Sequence, residues 1–402
     1  MELLEVSLAG RVIGTLNLLP GERSFFSFAK GYMDDPNRPV LSQSFFSRTG
    51  ELSPETRIVQ TKLPPFFSNL LPEGPLRTYL AARGGIHPAR EFRLLALLGE
   101  DLPGAVSVAY PREETRERLF EIDDPGRKRQ DLPYHFSLAG VQLKFSALVE
   151  SRGGLTIPAG GTGGNWIIKL PSQQFPEVPE NEWAMLDLAG KIGITVPETR
   201  LIPIEEISGL PALGVLAGKT ALAVKRFDRQ ETGERIHMED FAQVYNLFPD
   251  EKYSRVNYTT IANMVWMLTG EEGLEEYVRR LVFNLMIGNG DMHLKNWSYV
   301  YPDGRTPRLA PGYDFVATVP YLPGDKLALN LAGTKIMREV SERHFIDLSA
   351  KARVPEHLVL QTMRETVEKT TAIWRQEKKL MPLSKEIVDR IEDHMQSLAL
   401  TG

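Results

Sequence analysis

The chain reads as an α+β protein of two lobes, strand-rich in front and helical behind. Three observations predict this. Up to about residue 230 the sequence holds short strand-like runs with brief helical inserts. Beyond Asp240 the apolar residues recur with helical periodicity. Between the two, a helix stops at a pair of glycines and a polar loop leads into a strand, a turn and a second strand.

Size and composition set the frame. At 402 residues the chain is too long for one compact core, so two or three domains are expected. Hydrophobic residues make up 42% and charged residues 25%, an ordinary globular balance. There is no cysteine, which excludes disulfides, thiolate metal sites and cysteine nucleophiles, and suits a reducing cytosol. The start, Met1-Glu2-Leu3-Leu4-Glu5, is acidic where a signal peptide is basic. No apolar run approaches the length of a membrane span. A cytoplasmic protein is therefore expected. A net charge of −5 gives no general attraction to nucleic acid, although a local patch or a DNA-binding partner is compatible with it.

Taken in order, residues 1–130 form a first unit. Residues 6–16 read as a hairpin turning at Ala9-Gly10-Arg11, and 24–28 as a further strand. The stretch 63–74 is rich in proline and apolar residues, which suits packing in a core or a domain interface. Helices are expected at 75–83 and 88–98. Residues 113–129 are charged and run into Pro125-Gly126-Arg127-Lys128-Arg129-Gln130, a linker composition whose basic cluster reads as a solvated loop.

A second unit covers 131–230. In 137–149 two strands flank a turn of small residues. That is either an ordinary hairpin or a loop whose backbone N–H groups cover phosphates. Residues 160–164 are four glycines and a threonine and read as a connector. The strand 165–171 is apolar except for Lys169, which either points out from an edge or is paired inside a site. A helix begins near Glu180. Its Glu182 either favours the helix dipole or pairs with Lys169. Residues 220–229 form a buried strand that turns polar, as a hinge bonding an adenine edge or a plain strand end would.

The third unit, 231–402, is helical at 240–247, 258–268, 273–287, 341–352, 355–379 and 384–398. The helix at 273–287 carries Leu274, Tyr277, Val278, Leu281, Val282, Leu285 and Met286 on one face. Gly288 and Gly290 end it. Asp291 and Asn296 follow, then a strand at 297–301, the turn Pro302-Asp303-Gly304, and Asp314. Asp, Asn, strand, turn, strand, Asp is the order a phosphotransfer loop needs. One carboxylate accepts the attacking hydroxyl's proton, while an amide oxygen and a second carboxylate hold Mg²⁺. A helix cap and two turn residues would give the same letters.

Five pieces in this order resemble the HipA-type serine/threonine kinase toxins of bacterial toxin–antitoxin modules. They are Ser137-Leu-Ala-Gly-Val-Gln-Leu-Lys144, Ile167-Ile-Lys-Leu-Pro171, Val224-Lys-Arg-Phe-Asp-Arg229, Ile287-Gly-Asn-Gly-Asp-Met-His-Leu-Lys-Asn296 and Tyr313-Asp314. The resemblance covers nearly the whole chain, with 1–130 as the family's N-terminal subdomain. It implies a bilobal, phosphatidylinositol-kinase-like fold and an ATP- and Mg²⁺-dependent protein kinase. Carried over, Asp291 is the catalytic base, and Asn296 and Asp314 are metal ligands. Lys169 binds the phosphates, and Lys225 and Phe227 meet the adenine through their backbone. Leu138, Ala139, Gly140, Val141, Gln142 and Lys144 belong to the loop over the phosphates. Ser137 is the autophosphorylation site whose modification ejects that loop. A phosphate beside those of ATP would be repelled unless the loop moves out. The family's targets are aminoacyl-tRNA synthetases, glutamyl-tRNA synthetase foremost. Its inhibitor is a small helix-turn-helix antitoxin, through which operator DNA is mainly bound, in keeping with the acidic charge of this chain.

The sequence departs from eukaryotic kinases in places. His293 stands two residues after the base, where those kinases have lysine. It is counted with the nucleotide-binding residues, and Lys295 is the nearest cation for the transferring phosphate. Val316 replaces the glycine after Asp314-Phe315, so no swinging activation segment is expected. Two other readings stay open. One is a small-molecule or lipid kinase of the same fold, against which Ser137 argues. The other is a silent nucleotide-binding corepressor, against which the intact set Lys169, Asp291, Asn296 and Asp314 argues.

Overall fold

The structure, a computed structural model, describes residues 2–47, 49–53, 57–111, 144–149, 155–156, 164–172, 174–210 and 218–401. The first unit is built on an antiparallel sheet. Its strands are β1 (Glu2–Leu8), β2 (Arg11–Leu19), β3 (Arg23–Phe28), β4 (Val59–Gln60) and β5 (Val106–Ala109), in the order β4-β3-β2-β1-β5. Ala9 and Gly10 both take positive φ, 49° and 79°, making the two-residue hairpin turn whose twist matches its strands. Leu4, Val6 and Leu8 alternate along β1 and are buried together with Ile13, Leu16 and Phe26. Helices α1 (Lys30–Met33), α2 (Pro65–Ser68), α3 (Gly74–Arg83) and α4 (Glu91–Leu98) lie between β3 and β5 in the chain. Phe66 and Phe67 of α2 and Phe92 of α4 complete the core, so the proline-rich stretch does pack as expected.

The second sheet holds β6 (Lys144–Val149), β7 (Leu155–Thr156), β8 (Trp166–Lys169), β9 (Thr199–Pro203), β10 (Ile207–Ser208) and β11 (Thr220–Lys225). The order is β10-β7-β6-β8-β11-β9, which makes β8 an interior strand. Both faces are covered. Trp166, Ile168, Ala221 and Ala223 pack against Leu76, Tyr79 and Leu80 of α3, a helix of the first unit. Leu222 and Val224 face the other way, into a core shared with Ala184, Met185 and Leu188 of α5 (Val178–Lys191). Lys169 follows Ile168 in β8, so its side chain lies on the α5 face.

The third unit opens with β12 (His237–Asp240) and α6 (Phe241–Val244). The sequence predicts a longer helix here. It stops because Asn246 adopts φ 54° and Leu247 N donates back to Ala242 O, a left-handed cap that asparagine tolerates. Helix α7 (Tyr258–Met286) joins the two predicted helices 258–268 and 273–287 through Gly270, at φ 67°. Strands β13 (Ser298–Tyr301) and β14 (Arg308–Leu309) extend β12 into a small antiparallel sheet. Helices α8 (Glu342–Ala352), α9 (Glu356–Glu377) and α10 (Lys385–Ser397) pack around α7. Strands in front and helices behind is the predicted α+β arrangement. Among the described residues no helix is long and apolar enough to cross a membrane.

Candidate active site

The apolar face of α7 sets the position of the loop that follows. Leu274, Tyr277, Val278, Leu281, Val282, Leu285 and Met286 are all buried, so the end of the helix cannot shift without opening the core. Gly288 turns the chain with φ 69°. A Cβ on Gly290 would come 2.0 Å from Asp325 Oδ2, so only glycine lets that carboxylate lie against the loop. Gly290 N donates to Thr318 Oγ1 at 2.8 Å, and the same oxygen lies 2.5 Å from Asp325 Oδ2. Asn289 accepts from Asp291 N through its Oδ1 at 2.9 Å, while its Nδ2 donates to Asn284 Oδ1 at 2.7 Å.

Asp291 O then accepts two donors, His293 N and Asn296 Nδ2, each at 2.8 Å. The backbone of Asp291 is thus fixed while its carboxylate remains exposed. That bond commits the nitrogen of Asn296 and leaves its amide oxygen as the atom available to a cation. Asp291 Oδ1 accepts from Tyr253 Oη at 2.6 Å.

Across from this loop, the Lys169 ammonium donates to both Glu182 and Asp314. Lys169 and Glu182 are 4% and 1% exposed, so the two alternatives at each position resolve to one buried pair. Burial pulls the lysine pKa down. The Asp314 and Glu182 carboxylates outweigh it and raise it above its ordinary value, so Lys169 is a cation at neutral pH. Lys144 begins β6 in register with Lys169. Asp314 takes φ 55°, a left-handed conformation that Asp adopts more readily than most side chains. The residues after it are pinned: Phe315 packs on Phe283 with centroids 5.4 Å apart. Asn181, beside Glu182 on α5, donates Nδ2 to Ala317 O and accepts from Ala317 N, both at 3.0 Å. The helix that carries Glu182 and the segment that carries Asp314 are therefore one clasped unit.

At the end of β11, Lys225 N donates to Glu198 O at 2.8 Å, so a backbone contact by Lys225 to a ligand falls to its carbonyl. Its ammonium pairs with Glu231 at 3.1 Å. The Phe227 ring lies 5.7 Å from that of Tyr313, whose hydroxyl donates to Lys295 O at 2.9 Å. The intervening charges face the first unit. Arg226 donates to both oxygens of Asp228, at 3.0 and 2.9 Å, and reaches Asp101 Oδ1 at 3.2 Å. Arg229 donates to Asp101 Oδ1 at 3.0 Å and to Asp228 Oδ2 at 2.8 Å.

Lys295 donates to Asp240 Oδ2 at 2.8 Å and to the carbonyl of Asn69 at 3.0 Å, so its charge braces the loop against the first unit. Glu73, from the same stretch as Asn69, accepts from Lys252 at 2.8 Å. His293 is buried. Its pKa is lowered, first by burial, against the opposing pull of Asp291, so the imidazole is neutral at physiological pH. Its Nδ1 has no hydrogen-bond partner among the described residues. Ser137, Leu138, Ala139, Gly140, Val141 and Gln142 lie outside the described residues, as do the linker 113–129 and most of the glycine run 160–164.

Sequence reasoning missed Tyr253, Asn181, Glu73 and the Asp101 network. Only Asn181 carried a local signal, a polar residue on the buried face of its helix.

Both parts of the chain match known families. Residues 4–109 match the model of the HipA N-terminal domain, and residues 136–374 that of the HipA-like C-terminal domain. A Sinorhizobium fredii protein named "Putative kinase Y4dM" is 49% identical over 99% of this chain and 97% of its own length. The serine/threonine-protein kinase toxin HipA of Shewanella oneidensis is 25% identical over 79% of this chain and 76% of its own. Among solved structures, the Shewanella oneidensis complex of HipA, HipB and operator DNA aligns with a TM-score of 0.73 at 20% identity, covering 98% of this chain and 96% of that one. That last likeness is one of fold. With both domain models in order along one chain and a near full-length relative at 49% identity, this chain belongs to the HipA family of kinases.

Proposed function

We propose that the chain is an ATP- and Mg²⁺-dependent serine/threonine-protein kinase that acts as a growth-arresting toxin. The observation that carries this reading is the buried Lys169, clasped by Glu182 and Asp314, opposite a loop that offers Asp291 and Asn296. The donor set suits Mg²⁺. An amide oxygen from Asn296 and a carboxylate from Asp314 are hard oxygen ligands, few enough to leave room for water and phosphate. When bound, Mg²⁺-ATP supplies the γ-phosphoryl group with its charge partly neutralised.

The chain's own residues do the rest. Lys169 holds the phosphates from inside the cleft, its charge fixed by two carboxylates. Asp291, on an immobilised backbone, takes the proton from the acceptor hydroxyl. Lys144 and the loop 138–144 cover the nucleotide, Lys225 and Phe227 line its base, and His293 closes the floor beside Asp291. Phosphorylation of Ser137 adds a charge of roughly −1.5 to −2 at that loop and shuts the enzyme off. The target is an aminoacyl-tRNA synthetase, such as glutamyl-tRNA synthetase, and the inhibitor a helix-turn-helix antitoxin that supplies most DNA contacts. The name of the Shewanella toxin supports the kinase-toxin reading, and the composition of the HipA–HipB–operator complex supports a HipB-like partner bound with DNA.

The test is the intact mass of the purified chain, with and without Mg²⁺-ATP, beside Asp291→Asn. The expected result is one added phosphate, mapped to Ser137, in the wild type only. Tight ATP binding with no added phosphate would refute self-phosphorylation and turn the search to small-molecule acceptors. An equal gain in Asp291→Asn would remove Asp291 as base.

A further inference from the structure

A carboxylate that takes a proton from an acceptor hydroxyl can also activate water when no acceptor is bound, and here a phenol is bonded to that carboxylate. We propose that Tyr253 occupies the seat of the acceptor hydroxyl on Asp291, so that each acceptor enters by displacing it. The proposal rests on Asp291 being the proton acceptor of the reaction. Tyr253 Oη donates to Asp291 Oδ1 at 2.6 Å, the length of a hydroxyl bonded to a carboxylate. A serine or threonine poised for attack would make the same bond, hydroxyl to carboxylate oxygen, over the same span. The phenol therefore stands where the nucleophile must come.

Tyr253 is built to leave that seat. Its side chain is 45% exposed, so turning it outward breaks no core packing. The backbone beside it is held: Leu294 N donates to Lys252 O at 3.3 Å, and the Lys252 ammonium donates to Glu73 Oε2 at 2.8 Å. Only the ring needs to move. In its present position it lies edge-on to His293, centroids 4.9 Å apart, and His293 Nδ1 is buried without a partner among the described residues. A buried polar nitrogen left unbonded is unfavourable, and a group arriving in place of the ring supplies the missing contact. Tyr253 itself stays a donor. Burial first, then the bond to Asp291 and the nearby charges of Asp291, Glu73 and Asp325, raise its pKa above the ordinary phenol value, so it does not compete as a base.

The test uses the full chain, Mg²⁺-ATP and two readouts, inorganic phosphate release to water and the rate of self-phosphorylation by intact mass. Tyr253→Phe keeps the ring edge-on to His293 and removes only the hydroxyl. Losing one charge-assisted hydrogen bond from the closed state is expected to raise phosphate release by about tenfold, with the KM for ATP unchanged. Tyr253→Phe combined with Asp291→Asn is expected to show no rise. A Tyr253→Phe rate equal to or below wild type in both readouts would overturn the proposal. So would phosphate on Tyr253 of the wild type, because the phenol would then be a substrate. Asp291→Asn alone separates the two ideas: wild-type transfer in that variant defeats the assignment of the base, whatever Tyr253→Phe does.

Discussion

Glu239 and His237 stand two residues apart on β12 and between them hold three consecutive residues of the first unit. His237 Nε2 donates to Leu41 O at 2.7 Å. The Glu239 carboxyl accepts from Ser42 Oγ at 2.5 Å, from Gln43 N at 3.0 Å and from Tyr301 Oη at 2.5 Å. Both groups are fully enclosed, and burial moves them in opposite directions. Glu239 is pushed up from 4.5 to about 7 and His237 down from 6.5 to about 4. For Glu239 the folded state keeps its proton where the unfolded chain has lost it, so stability falls as pH rises from 4.5 towards 7. The shift corresponds to about 3 kcal/mol at roughly 1.4 kcal/mol per pH unit. For His237 the folded state refuses a proton that the unfolded chain takes up. Its contribution is complete above pH 6.5 and is lost as pH falls towards 4, again by about 3 kcal/mol. Across the shared range the two slopes nearly cancel in the wild type.

Glu239→Gln removes one slope and unmasks the other. The amide fits the site. Its oxygen accepts from Gln43 N and Tyr301 Oη, and its nitrogen donates to Ser42 Oγ, which then donates to Ser44 Oγ, 2.8 Å away. The variant is expected to lose stability between pH 6.5 and 4.5 while the wild type changes little. Its stability relative to wild type should rise by about 3 kcal/mol from pH 4.5 to 7. Urea unfolding at several pH values and fixed ionic strength measures this. A difference between the two proteins that is constant with pH would refute the argument, because the carboxyl would then titrate alike in both states.

Two further outcomes are expected. Asp314→Ala removes one partner of Lys169 together with a proposed metal ligand, and should abolish the Mg²⁺-dependent part of nucleotide binding; unchanged affinity in titration calorimetry counts against the metal role. Asn181→Ala leaves the Ala317 N–H and C=O buried without their partner and should cost about 2 kcal/mol or more, read as a lower thermal midpoint; an unchanged midpoint would mean that water replaces the clasp.

What the sequence made legible is what local pattern controls. The α7 face, the stopping glycines and the Asp–Asn spacing are set by residues close in the chain. Lys169 was conspicuous because a charge in an apolar strand needs a partner. Whether Glu182 was that partner depended on the angle between α5 and β8, which no local pattern encodes. Lys295 was expected to serve the transferring phosphate, yet it binds Asn69, 226 residues away, and Asp240. Arg226 and Asp101 are 125 residues apart and Tyr253 and Asp291 are 38 apart. Contacts at such separations follow from how the units dock, and docking surfaces carry no periodicity to read.

The docking also gives the charges that follow β11 their partners. Arg226 and Asp228 point towards the first unit, where Arg229 and Asp101 complete a set of two cations and two anions, and Gly104 N donates to Asp228 Oδ2 at 2.8 Å. Charges buried in this way are tolerable only when matched, and each of these is. Lys225 and Phe227 have other partners, Glu231 and Tyr313 respectively. The first unit therefore ties down Arg226, Asp228 and Arg229 just beyond β11. It also meets β12 through Leu41, Ser42 and Gln43, and the loop of Asp291 through Asn69. Three contacts that do not lie on one element hold a body against rotation as well as translation. The first unit is thus part of the frame that holds both the end of β11 and the loop of Asp291, two segments far apart in the chain.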